Sequence, residues 1–147
     1  MGEFSTFEEV LKRDGKLVYK NRGDSMWPFI REGRDLLLII PAERPLKKYD
    51  IPLYRRDNGQ YILHRIIGRD ESGYIMRGDN RSVKEYGITD GHIIGVLYAV
   101  LREEKEIPAD SFASRIKLCV WRFVYPFHRL GHKGKKWFLR RKNQTRE

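Results

Sequence analysis

Three short runs carry side chains able to do covalent chemistry. Ser25 lies in Gly23-Asp24-Ser25-Met26-Trp27-Pro28, His64 in Leu63-His64-Arg65-Ile66-Ile67, and Asp79 in Arg77-Gly78-Asp79-Asn80, with Glu85 a little further on. A serine hydroxyl is a weak nucleophile at neutral pH and needs a base within hydrogen-bond reach. Imidazole is the side chain best matched to that task, and a carboxylate can orient the ring and stabilise its protonated form. Gly23 permits a sharp turn before the serine and Pro28 stiffens the exit. Met26 and Trp27 are expected to pack beside the hydroxyl and exclude water, and backbone N–H groups of the turn offer an oxyanion site. Singly, each run has a plainer reading. A serine near a glycine is usually a turn residue, and a lone histidine in an apolar strand is usually a core residue. Arg77–Asn80 alone reads as a turn closed by Asx hydrogen bonds. Their conjunction, in this order, is what points to a nucleophile, a general base and an orienting acid.

The elements that must position these residues follow from pattern. Ser5-Thr6-Phe7-Glu8 reads as a capping box with Ser5 as N-cap, predicting a helix from Thr6 to Arg13 that stops at Gly15. From Leu17 to Leu101, short apolar runs alternate with turn chemistry: Leu36–Ile40, Ile51–Tyr54, Tyr61–Ile67, Tyr74–Met76 and Ile93–Val100. The breaks include Asp57-Asn58-Gly59, Asp70-Glu71-Ser72-Gly73 and Gly87-Ile88-Thr89-Asp90-Gly91. Asn58-Gly59 predicts a type I′ turn joining Leu53–Arg56 to Tyr61–His64, and Gly73 a second hairpin joining Ile66–Arg69 to Tyr74–Arg77. Many short strands with local connections imply a mainly β fold, a coiled antiparallel sheet or partial barrel. After Pro108, Ser111 can cap a helix whose apolar face is Ile116, Cys119, Val120, Phe123 and Phe127, ended or kinked at Pro126. The expected organisation is an N-terminal helix (1–16), a catalytic domain (17–110) and a basic, aromatic helical tail (111–147).

The chain has 147 residues, 40% hydrophobic and 12% aromatic, enough for one domain with a core. A single cysteine, Cys119, excludes an internal disulfide and a multi-cysteine metal site. The net charge of +10 belongs entirely to residues 113–147, because residues 1–112 hold 19 basic and 19 acidic side chains. A neutral body with a basic appendage separates any binding to anionic surfaces from the chemistry. Trp121, Phe123, Tyr125, Phe127, Trp137 and Phe138 are interleaved with Arg and Lys in the tail, which suits an anionic membrane surface. The plainer reading of the tail is a helix packed on the sheet followed by a solvated end. Single-stranded nucleic acid also takes stacked aromatics among cations, but no recognition motif supports that partner. No window approaches the roughly 18 apolar residues needed to span a bilayer, and no basic segment followed by an apolar one marks a signal peptide. The expected place is the cytoplasm, with a peripheral position at the inner membrane face through the tail. His92 reads as a loop residue. His128 and His132 have a helical metal-ligand spacing, but Pro126 and Gly131 interrupt a helix there and no acidic ligand is near, so no metal is expected.

The ordered motifs, Gly23–Pro28, Gly33-Arg34-Asp35, His64–Ile67, Gly78–Asn80 and Ile93–Val96, resemble the signal peptidase I superfamily over Leu17 to Leu101. The resemblance implies a serine endopeptidase that cleaves an extended peptide after small residues, as in signal- or leader-peptide processing. It needs no cofactor. Where the membrane-anchored bacterial enzymes and self-cleaving repressors carry a lysine base, this chain has His64, which resembles the Ser/His branch. The family pattern then implies Ser25 as nucleophile and His64 as general base. The acidic residue that orients the imidazole in that branch matches Glu85, where an aspartate is usual, with Asp79 as the other candidate. Lysine-based members often place a hydroxyl at the position of Gly23, so here the oxyanion site falls to backbone donors, chiefly Ser25 N–H, within the segment holding Gly23, Asp24, Met26 and Pro28. The chain also departs from the family in having no membrane helix ahead of the serine motif. Two other classes compete: a peptide-binding relative without turnover, and a membrane-surface accessory protein. A self-cleaving regulator would need a DNA-binding domain ahead of Ser25, for which 24 residues are too few.

Overall fold

A computed structural model describes residues 6–43 and 45–110, together with Val120 and Val124. Helix α1 (Phe7–Asp14) opens this part of the chain and ends at Gly15, whose φ of 67° is the left-handed conformation that closes a helix without steric cost. Its capping box lies one residue later than expected. Thr6 N–H donates to the Glu9 carboxylate at 2.8 Å, and Glu9 N–H donates to Thr6 Oγ1 at 3.3 Å. Glu8 is thereby free to accept from the Tyr61 hydroxyl at 2.8 Å, while Leu11 enters the core.

Among the described residues the strands are β1 (Leu17–Lys20), β2 (Leu36–Ile40), β3 (Pro52–Arg55), β4 (Tyr61–Leu63), β5 (Arg65–Asp70), β6 (Gly73–Arg77), β7 (Glu85–Ile88), β8 (Ile93–Arg102) and β9 (Lys105–Pro108). All pairings are antiparallel. The first sheet runs β1-β2-β8-β3-β4, with β9 also on β8, and the second runs β5-β6-β7. Val96 pairs with both Ile40 and Pro52, and Leu101 with both Leu36 and Glu106, so β3 and β9 follow one another along one edge of β8 opposite β2. Register breaks at Leu38/Ile39 and at Leu53/Tyr54 add a residue to β8 each time. Such bulges bend a strand and tighten its twist. The result is the mainly β, strongly curled half-barrel expected from the sequence, with one short N-terminal helix.

Both predicted hairpins form, with Leu53 opposite Leu63 and Arg69 opposite Tyr74. The first turn is a three-residue loop, not the two-residue type I′ turn. Gly59 N–H donates to the Arg56 carbonyl at 2.8 Å, Arg56 N–H to the Gln60 carbonyl at 2.9 Å, and of Asn58 and Gly59 only the glycine has positive φ. Asn58 Oδ1 accepts from Gln60 N–H instead, closing the turn through its side chain. The segment Gly87–Gly91 is not a simple break: β7 extends into it to Ile88, and Asp90–His92 form a 3₁₀ turn. The long run Tyr61–Ile67 is divided at His64, where the chain passes from the first sheet to the second.

Two apolar clusters hold the halves together. One packs Leu11, Met26, Phe29 and Ile30 against Leu37, Ile39, Ile51, Leu53 and Val100; the other gathers Leu46, Tyr54, Ile66, Tyr74, Met76, Ile88 and Val96. Val120, placed by pattern on an apolar face of the tail helix, is helical and 56% exposed. The rest of that face (Ile116, Cys119, Phe123, Phe127), the His128/His132 pair and Trp137-Phe138 lie outside the described residues.

Candidate active site

Ser25 sits in the loop between β1 and β2, and the apolar residues after it decide where that loop goes. Met26, Phe29 and Ile30 are buried in the first cluster, and Ile30 N–H donates to the Met26 carbonyl at 2.9 Å. Met26, 1% exposed, therefore anchors the loop in the core. Upstream, Gly23 has φ 92° and its N–H donates to Glu32 at 2.7 Å. The peptide bond Trp27–Pro28 is cis. Asp35 secures the far end of the loop. It is 0% exposed and takes two hydrogen bonds from Arg102, at 2.8 and 2.6 Å, while Arg102 also donates to the Phe29 carbonyl at 2.9 Å. Burial alone would raise the Asp35 carboxyl, but Arg102 and the Arg31 N–H outweigh it and hold the group below the usual carboxylate range.

The Gly78-Asp79-Asn80 run clasps this loop to the histidine strand. Asn80 N–H donates to the Ser25 carbonyl at 2.8 Å and the Asn80 amide to the Asp24 carbonyl at 3.2 Å. Arg81 reaches the Asp24 carboxylate at 2.5 Å and, by hydrogen bond, holds it below its ordinary value. Asp79 forms a bidentate pair with Arg65, at 2.8 and 2.7 Å, with both side chains 4% exposed. Arg65 also donates to the carbonyl of Tyr49 at 3.0 Å. Gly78 lies where these parts converge. A Cβ at Gly78 would stand 2.7 Å from the Ser25 carbonyl oxygen and 3.1 Å from His64 Nε2. The close approach of serine loop and imidazole thus depends on the missing side chain.

His64, at the joint of β4 and β5, turns its other nitrogen toward Tyr54. Nδ1 is 3.3 Å from the Tyr54 hydroxyl, which donates to Glu85 at 2.8 Å. Arg56 grips the same carboxylate at 2.6 and 2.7 Å. Burial pushes the His64 pKa below its ordinary value, against the opposing pull of Glu85; the Arg56 cation adds to the lowering. Arg56 in turn holds Glu85 below its ordinary value. The structure therefore brings Ser25, His64, Gly78 and Glu85 into one neighbourhood and ties both Asp79 carboxylate oxygens to Arg65. Among the described residues the Ser25 carbonyl is hydrogen-bonded, to Asn80 N–H, and neither the hydroxyl nor the N–H of Ser25 is.

Tyr54 and Arg56 are not expected at the site from the sequence, because the two-residue turn predicted at Asn58-Gly59 would set Tyr54 opposite Leu63, on the other face from His64. The hairpin as formed sets Tyr54 opposite Ile62, and with a two-residue period Arg56, Tyr54, Ile62 and His64 share one face. His92, read as a loop residue, lies in the 3₁₀ turn, with Nδ1 2.9 Å from Thr89 Oγ1 and Nε2 3.2 Å from Asp57. A cavity of about 500 Å³ between α1, β3 and β8 is lined by Leu11, Lys12, Arg55, Arg56, His92 and Ile94 among others, and its lining includes neither Ser25 nor His64. No His, Cys, Asp and Glu cluster among the described residues is disposed to hold a metal, and no helix among them is long and apolar enough to cross a membrane. Comparison with family models, curated proteins and solved structures finds no match to this chain.

Proposed function

We propose that the protein is a serine endopeptidase of the signal peptidase I type, processing an extended signal or leader peptide. The observation that carries this reading is the shared approach to Gly78, which has the Ser25 main chain on one side and His64 Nε2 on the other. In the proposed reaction the Ser25 hydroxyl attacks the scissile carbonyl as its proton passes to His64 Nε2. The Ser25 N–H stabilises the oxyanion, and the imidazolium returns the proton to the departing amine. A water activated by His64 then releases the acyl group. The lowered pKa keeps His64 neutral and able to accept a proton at neutral pH. The basic aromatic tail would hold the enzyme at an anionic membrane surface.

Cleavage mapping by mass spectrometry on a mixed peptide library, with wild type, Ser25→Ala and His64→Ala, tests the reading. Cuts made by the wild type and lost in both variants are expected. A wild type that binds peptides without cutting them, even with anionic lipid present, would replace the peptidase by a binding module.

A further inference from the structure

We infer that Tyr54 is the positioning residue of the histidine, fixing its tautomer and joining it to Glu85, so that the acid acts on the imidazole through a phenol. The argument is a count of protons. A tyrosine hydroxyl has one proton to donate and lone pairs to accept with, and an ionised carboxylate only accepts. The 2.8 Å bond from Tyr54 to Glu85 therefore uses the phenolic proton. The other contact of that oxygen, 3.3 Å from His64 Nδ1, must then be an Nδ1–H donating to it. Neutral imidazole carries one N–H, so Nε2, the nitrogen facing Gly78 and the Ser25 loop, is left with its lone pair. That is the tautomer a general base requires.

The surroundings hold this arrangement. Tyr54 is 0% exposed, packed in the second cluster with Ile66, Met76 and Val96, and its ring meets the imidazole edge-on at 6.4 Å between centroids. Burial first, and then Glu85, raise the Tyr54 pKa, keeping the hydroxyl a donor, while Arg56 keeps Glu85 ionised. When Nε2 takes a proton, the positive charge on the ring is met by a hydroxyl oxygen polarised by Glu85. Glu85 lies beyond the phenol, so the longer side chain, where an aspartate is usual in the Ser/His branch, is not a defect here.

The kinetic part rests on the peptidase reading; the tautomer does not. Long-range proton–nitrogen correlation NMR of isotope-labelled full-length protein, with the His64 signals assigned by their loss in His64→Gln, reads the neutral ring directly. Wild type is expected to carry its proton on Nδ1. In Tyr54→Phe, which keeps the buried ring, the proton should move to Nε2. The same variant should lose about 10- to 100-fold in kcat with little change in KM, the worth of one hydrogen bond to a group that becomes charged. A wild-type ring protonated on Nε2, or a Tyr54→Phe ring that keeps Nδ1–H, overturns the assignment. A wild type with Nδ1–H that cuts no peptide would uphold Tyr54 and remove the peptidase.

Discussion

The two acidic residues near the site invite opposite experiments. Asp79→Asn leaves the Arg65 guanidinium in a site where the ion pair is 4% exposed on both sides. Breaking such a pair from one side costs about 3–5 kcal/mol, because the remaining charge stays buried without its counter-ion. The Arg65 hydrogen bond to the Tyr49 carbonyl survives and sets the cost toward the lower figure. With a urea slope of about 1–3 kcal/mol per molar for a domain of this size, the unfolding midpoint should fall by roughly 2 M. Glu85→Gln should behave otherwise. Its partner Arg56 is 33% exposed and Glu85 itself 23%, so the pair is worth about 1 kcal/mol or less and the midpoint should barely move. The rate should suffer instead, by about tenfold or more, because the charge that meets the imidazolium is gone. Urea unfolding and single-turnover cleavage of one mapped peptide, both variants at one temperature, decide the matter. An Asp79→Asn protein with an unchanged midpoint and a rate down by about a thousandfold would make Asp79 the orienting acid. The division of labour argued above would then be wrong.

Under the proposed peptidase reading, acid should switch cleavage off through His64. Below its pKa the ring is protonated and cannot accept from Ser25. The groups acting on it are Glu85 and Asp79, which raise its pKa, and Arg56 and Arg81, which lower it, with burial dominant and downward. The acid limb of kcat/KM should therefore have its midpoint below about 6.5, moving up in Arg56→Gln and further down in Glu85→Gln. A limb above 6.5 in the wild type would refute the burial argument. Gly78→Ala places a methyl 2.7 Å from the Ser25 carbonyl and 3.1 Å from Nε2. It is expected to lose about 1–3 kcal/mol of stability by overpacking and to part the serine loop from the ring, so activity at full folding should drop; a fully active variant would show that the close approach is dispensable. Deletion of residues 131–147, which carry most of the excess positive charge, should abolish sedimentation with anionic liposomes, and unchanged binding would end the membrane-surface role.

Much of the fold is legible in the sequence, for identifiable reasons. β2 matches its apolar run residue for residue, and both hairpins form where turn chemistry marks them, because local pattern acts on neighbouring residues; the first is one residue out of the register a two-residue turn would set, with Leu63 and not His64 opposite Leu53. β7 and β9 were not legible: each has four residues, and only Ile88 among them is buried, so neither shows the alternation that marks a half-buried strand. The capping box slipped by one because Ser5-x-x-Glu8 and Thr6-x-x-Glu9 overlap. The choice between them is made by tertiary contacts, namely Leu11 in the core and Glu8 on Tyr61.

The site shows the same limit more sharply. Ser25, His64 and the Gly78–Asn80 run stand out because each is a compact motif. What Gly78–Asn80 does is long-range. Its three residues serve three different partners: Gly78 makes room for the imidazole and the serine loop, Asp79 neutralises an arginine next to the histidine, and Asn80 ties down the loop. No spacing rule assigns those partners, since they come from β5 and from the β1–β2 loop. Tyr54 depends on a single turn residue. The three-residue loop puts it diagonal to His64 and on the face shared with Arg56, whereas the two-residue turn that Asn58-Gly59 predicts would set it opposite Leu63, on the other face from the candidate base. Only the arrival of Glu85 on β7 turns that face into a relay. A carboxylate from a strand with no readable pattern had to meet it, and that meeting belongs to the fold.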